Sequence, residues 1–209
     1  KEMMTSTEWK RIVVIRDPLE RLLSAWHVKI FQMRDSRKNL ETYAKILQVK
    51  NIEDLSKISF DAFINFLYDN RNRPEIFVFH WAPTSYFCNL KETSDNYQYV
   101  LRFHHLYEDT RCMMDELGLW YEYGTNFSPD GKDIFRINDS LQVTNSHDKL
   151  SRYYTIDLVR KVKQLFEKDY ELFDFPVTKE LEHRLRETGK TEDSSGRKTE
   201  DGDTTIELE

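Results

Sequence analysis

The sequence predicts an α/β domain with a central parallel sheet flanked by helices. Three observations carry that expectation. Short apolar stretches alternate with longer segments of helical period. "RIVVI" runs directly into Asp-Pro and a helical pattern. "YQYVLRF" runs in the same way into "LYEDTRCMMDELGL". Strand-then-helix units in series are the signature of a layered domain whose strands run parallel.

Taken in order, residues 11–15 are continuously apolar, which predicts a fully buried strand. A helix start follows: Asp17 fits the N-cap, Pro18 the first helical position, and Glu20 stands three residues after the cap. Residues 59–70 place Phe60, Phe63, Ile64, Phe66 and Leu67 on one helix face. "IFVF" at 76–79 reads as a short strand or a buried connection. Residues 97–103 read as a strand, and the helix after them stops at Gly118. Residues 120–146 are irregular, with turn signals in "SPDG". Ile156, Val159, Val162, Phe166 and Tyr170 mark one stripe of a final amphipathic helix.

The 209 residues, with 13 Phe, 11 Tyr and 4 Trp, suit one folded domain with appendages. The net charge of −6 is uneven, since residues 180–209 hold ten acidic and five basic side chains. We therefore divide the chain into a domain over 1–178 and an acidic, partly disordered tail over 179–209. A pI near 5.6 without a basic stripe disfavours nucleic acid as a partner. No apolar run approaches the ~18 residues of a membrane span, and no signal peptide is visible. The chain begins with Lys1, which reads as a fragment or a processed form. Two cysteines, Cys88 and Cys112, have no zinc spacing; two free buried thiols and one disulfide both remain open.

The helix start at Asp17 also carries chemistry. Unpaired N–H groups and the helix dipole attract anions there. Arg16 stands at the carboxyl end of the strand, the edge where open α/β sheets bind ligands. Ser24 lies seven residues after the cap, about two turns on, and returns to nearly the same face. Arg16 and Ser24 are thus candidates to clasp one phosphate. Arg21 is a third cation, or an ion-pair partner near the cap.

"VVIRDPLERLLSAW" resembles the 3′-phosphate-binding segment of sulfotransferases that use PAPS (3′-phosphoadenosine 5′-phosphosulfate). Its Arg-Asp-Pro-x-x-Arg-Leu-x-Ser-Ala form is similar to that of the Golgi carbohydrate sulfotransferases, the group that includes the HNK-1 and chondroitin 4-O-sulfotransferases. "HWAPTSYFC", "YVLRFHHLYEDTRCMMDELGL" and "YYTIDLVRKVKQLFEKDYELFDF" follow in the family's order, so the resemblance spans about residues 10–177. It implies a P-loop-like sulfotransferase fold, with PAPS as co-substrate and PAP as product. It also implies a glycan acceptor and a lumenal Golgi domain tethered by an upstream membrane helix. Arg16 and Ser24 then hold the 3′-phosphate, with Arg21 in support. The family's earlier strand–loop–helix, whose lysine binds the 5′-phosphosulfate, has no counterpart before residue 10, so we expect it upstream of Lys1. His104 stands where the family commonly has Glu.

Sulfonate transfer needs a base for the acceptor hydroxyl, and His80, at the end of an apolar run, is the first candidate. His104, His105 and Glu108 are its rivals. His104 and His105 with Glu108 are the one grouping that suggests metal binding; nothing else has ligand spacing, and no metal is expected. Of Trp26, Trp81 and Trp120, at least two are expected in the core rather than on a ligand. Arg71 and Arg73 form a small basic cluster that reads as a solvated loop or a contact for an anionic glycan. Asn126 and Asn138 head glycosylation tripeptides in the irregular segment. Two rival readings are a catalytically inactive member that binds glycans or a protein partner, and a nucleotide-dependent phosphotransferase. The latter lacks the Gly-x-x-x-x-Gly-Lys loop here.

Overall fold

Two parallel strands and eight α-helices organise the computed structural model, counted among the residues it describes. Those are residue 6, residues 8–87, 90–125 and 146–175, and positions 179, 181–183 and 186. Strand β1 (Ile12–Ile15) pairs with β2 (Tyr99–Arg102), Ile12 opposite Tyr99 and Ile15 opposite Arg102. A parallel pair cannot close by a hairpin, so the chain between them makes a long, mostly helical crossover. β1 hands over to α1 (Pro18–Ala25). β2 hands over through a 3₁₀ turn, Phe103–His105, to α5 (Leu106–Glu116). Both handovers lie at the same edge of the sheet, which is where the site forms.

The cap at Asp17 is made as the spacing predicts: its carboxylate accepts from Leu19 N at 2.6 Å, and Pro18 opens the helix. Beyond Ala25 the helix widens into a π-helical turn, Trp26–Phe31. Helix α2 (Arg37–Ile46) follows, capped by Ser36, and α3 (Phe60–Asp69) is capped by Ser59. A short α4 (Leu90–Thr93) precedes β2. The C-terminal part adds α6 (Ser146–Tyr153), α7 (Ile156–Leu165) and α8 (Glu167–Leu172). α3 packs against α7, and α1 against α6. Leu19, Leu22, Phe63, Ile64, Leu67, Val162 and Phe166 form the centre of the main core.

Several expectations need correction. β1 is not fully buried: Ile12 and Val14 are 43% and 49% exposed. Val13 and Ile15, which alternate with them along the strand, instead join a small core cluster with Leu90 and Phe173. Residues 76–79 form no strand; a 3₁₀ turn at Pro74–Ile76 leads to an exposed Phe79 and a buried Trp81. Trp26 is the second buried tryptophan. The long C-terminal helix breaks at Phe166, whose φ of −115° ends α7 while its ring stays in the core. Leu181, just past the limit suggested at residue 178, is buried in the same core. Cys112 is a free, exposed thiol rather than a buried one, and Cys88 lies outside the described residues.

One buried ion pair ties the helical layer together. The carboxylate of Asp169 on α8 is wholly buried and accepts from Thr84 N at 2.7 Å and Ser85 N at 2.8 Å. Arg21 Nη2 stands 3.6 Å from the same carboxylate, and its Nη1 donates to Thr84 Oγ1 at 2.8 Å. Replacing Asp169 with alanine strands a buried guanidinium and two backbone donors. Asp169→Ala is expected to lower unfolding free energy by about 3–5 kcal/mol, and Asp169→Asn, which keeps an acceptor, by less. Urea unfolding of the two variants checks the order.

Candidate functional site

The carboxyl ends of β1 and β2 and the start of α1 enclose a cavity of about 120 Å³, lined in part by Arg16, Glu20, Arg102, Phe103, His104 and His147. That volume admits a phosphate or sulfonate group with a few waters, not a whole nucleotide. Arg16 is placed by the strand end. Glu20, one turn further on, is placed by the helix that Asp17 caps, so the two meet at i,i+4 with Arg16 Nε 3.5 Å from Glu20 Oε2. Arg16 Nη2 also donates to Ser146 Oγ at 2.5 Å, and its guanidinium lies 4.5 Å from the centre of the Phe103 ring.

Glu20 is only 2% exposed, and its carboxylate faces the cavity. His104, from the 3₁₀ turn after β2, brings Nε2 against Oε2. His147, from the start of α6, brings Nδ1 to 2.5 Å from Oε1. The two imidazoles lie 4.5 Å apart at 52°. Burial pushes the Glu20 carboxyl up, but hydrogen bonds to His104 and His147, with the charges of His104 and Arg16, outweigh it and hold the group below the usual carboxylate range. Asp17 behaves oppositely: burial, then the neighbouring Glu20 charge, push it up to about 6. Burial also lowers Arg16, which the Glu20 charge offsets in part.

The sequence candidates separate in space. Arg16 is in the cavity. Ser24 is half-buried on α1, one turn beyond Glu20, and is not among the lining residues. Arg21 leaves α1 in another direction and pairs with Asp169 on α8 rather than with the cap region. His80 lies outside the cavity lining, with Nε2 3.7 Å from Asp35 Oδ2 and its ring edge-on to Tyr43. His105 lines the cavity beside His104. Arg71 and Arg73 are exposed, Arg73 paired with Glu75 at 2.9 Å. Asn126 and Asn138 lie outside the described residues.

The sequence reading missed Arg102 and His147 as cavity residues and gave Glu20 only a capping role. His147 stands 127 positions from Glu20, and no local pattern could link them. Asp35 was also missed. It accepts from Asn39 Nδ2 at 2.7 Å, Tyr43 OH at 2.8 Å and Ser36 N at 2.7 Å, and pairs with Lys29 at 3.1 Å.

The model of the sulfotransferase family matches residues 1–176. Carbohydrate sulfotransferase 9 of Homo sapiens is 28% identical over 178 residues, covering 80% of this chain and 38% of that protein. The chain thus spans well under half the length of that relative. No solved structure matches.

The Asp35 cluster has a consequence for acid stability. Burial acts to raise the Asp35 carboxyl, but its hydrogen bonds to Asn39, Tyr43, Ser36 N and Lys29 prevail and hold it well below the ordinary range. A carboxyl depressed on folding stabilises the protein above its unfolded pKa of about 3.9, and that contribution fades as pH falls further. Asp35→Asn is expected to cost about 2 kcal/mol at pH 7 and to lose less stability than the parent below about pH 4. Urea unfolding at pH 7, 4 and 3 measures both.

Proposed function

The chain belongs to the sulfotransferase family, and from that premise we propose that it transfers a sulfonate group from PAPS to a hydroxyl of a glycan. PAP is the other product. The glycan acceptor is suggested by the carbohydrate sulfotransferase it resembles. The observation that carries the donor side is Arg16, whose guanidinium stands in a phosphate-sized cavity where β1 meets the capped start of α1. In this reading β1 and α1 are the 3′-phosphate arm of a P-loop-like sulfotransferase fold. Arg16 and the Ser24 hydroxyl hold the phosphate, and Arg21 supports the cradle by pinning α1 through Asp169.

The reaction breaks the bond between the sulfonate sulfur and the 5′-phosphate oxygen and forms one from that sulfur to the acceptor oxygen. The acceptor proton goes to a base, for which we propose His80. Burial and the Lys29 charge hold its pKa below 6.5 against the pull of Asp35, which leaves it neutral and receptive at pH 7. Asp35 beside Nε2 then stabilises the imidazolium. Its separation from the Arg16 cavity suits this role, because the 3′-phosphate and the transferred sulfonate sit on different arms of the donor's ribose. Action in the Golgi lumen belongs to the same proposal. No helix among the described residues is long and apolar enough to cross a membrane.

Two measurements test the assignments. Arg16→Ala should weaken PAP binding by at least ~1.5 kcal/mol, the low end for a hydrogen bond to a charged group. Calorimetry showing unchanged affinity removes Arg16 from the donor site. His80→Asn should lower kcat by about 10²-fold or more with the KM for PAPS unchanged. Sulfonate transfer at parental kcat overturns the base assignment.

A further inference from the structure

Glu20, His104 and His147 are more than a hydrogen-bonded trio: we propose that they form a Zn²⁺ site at the floor of the cavity. Their ligand atoms lie within 4.8 Å of one another. They come from three separate elements, α1, the turn after β2, and the start of α6. Two imidazole nitrogens with one carboxylate oxygen are a donor set for a borderline cation such as Zn²⁺, not for Mg²⁺ or Ca²⁺, which demand oxygen. The site does not depend on the proposed sulfonate transfer.

Coordination requires the present contacts to open. A tetrahedral ion with bonds near 2.0–2.1 Å holds its donors about 3.3 Å apart. The Glu20–His147 contact, now 2.5 Å, and the closer Glu20–His104 contact must therefore open. The histidines can move to allow it, since their side chains are 39% and 44% exposed, whereas Glu20 is held by its burial. Three protein ligands leave a fourth position, and it faces the cavity. Arg16 and Arg102, which line the same space, favour an anionic oxygen there. The Arg16 charge, 3.5 Å from Oε2, opposes the cation and sets a limit to its affinity. Arg16 keeps Ser146 and the Phe103 face as partners when the ion takes up the carboxylate.

The test is a calorimetric titration of the untagged, metal-free chain with ZnCl₂, paired with the visible absorption of the Co²⁺-substituted protein. The expected result is one saturable equivalent per chain and a tetrahedral Co²⁺ spectrum. His104→Ala and His147→Ala should each weaken Zn²⁺ at least tenfold and abolish that spectrum. His27→Ala, whose imidazole bonds Gln32 outside the cavity, should change neither. Circular dichroism establishes that each variant is folded. Should His104→Ala not fold, His147→Ala, at an exposed helix start, and the parental Co²⁺ spectrum decide the matter. No saturable binding below millimolar Zn²⁺, an octahedral Co²⁺ spectrum, or undiminished binding in a folded His104 or His147 variant overturns the site.

Discussion

A buried, ionised carboxylate has to be met by donors, and Glu20 imposes that demand at the point where the sheet hands over to its first helix. Its partners arrive from three directions: Arg16 from the end of β1, His104 from the turn after β2, and His147 from α6. Burial without them costs several kcal/mol. The carboxylate therefore fixes where three otherwise independent segments end. Asp17, three residues earlier and half-buried, has its pKa raised to about 6 instead. Two neighbouring acids thus shift in opposite directions: Glu20 is held low because partners converge on it, and Asp17 is raised first by burial and then by the Glu20 charge.

The next residue in the chain works on another side of the same helix. Successive helical residues point about 100° apart, so Glu20 faces the cavity while Arg21 reaches Asp169 and Thr84. α1 is held on a second side by the Tyr154 hydroxyl, which donates to Leu19 O at 2.8 Å. Leu19 and Leu22 lie in the core between these contacts. A helix start fixed in this way offers its N–H groups and dipole in a constant direction, which is what binding a charged group without reorganisation requires. The Arg-Asp-Pro-x-Glu-Arg run therefore encodes a cap, a cavity wall and an anchor within six residues.

Much of this was legible where neighbours in sequence are neighbours in space. The strand-to-helix handover, the Asp17 cap and the α3 stripe appear as their local patterns predict. So does the stop at Gly118, whose φ of +70° lets Leu119 N reach back to Met114 O at 2.7 Å. The misses have physical causes. α2 is polar on most faces, and only Tyr43 and Ala44 are buried, so its period is faint in the sequence. β1 reads as buried because its apolar run is unbroken, yet only Ile15 is fully covered. The break at Phe166 leaves the apolar stripe intact on both sides, so periodicity cannot show it. The cavity partners of Glu20 stand 84 and 127 residues away, a distance over which no spacing rule operates.

In the proposed reaction, an incoming phosphate must win Arg16 from the groups that hold it now. Glu20 offers one negative charge, reaches only Nε, and already shares its oxygens with His104 and His147. Ser146 offers a neutral hydroxyl. A phosphate monoester carries up to two charges and can accept from a guanidinium in parallel pairs, which makes it the stronger partner. The Phe103 face beneath the guanidinium supports its plane during the exchange. Arg16 can therefore pass from its resident partners to a ligand by rotation about its own side chain, while Glu20 remains paired with the two histidines. The backbone at the handover stays where the cap and the Asp169 anchor hold it, and the cavity needs no rearrangement of the fold to accept an anion.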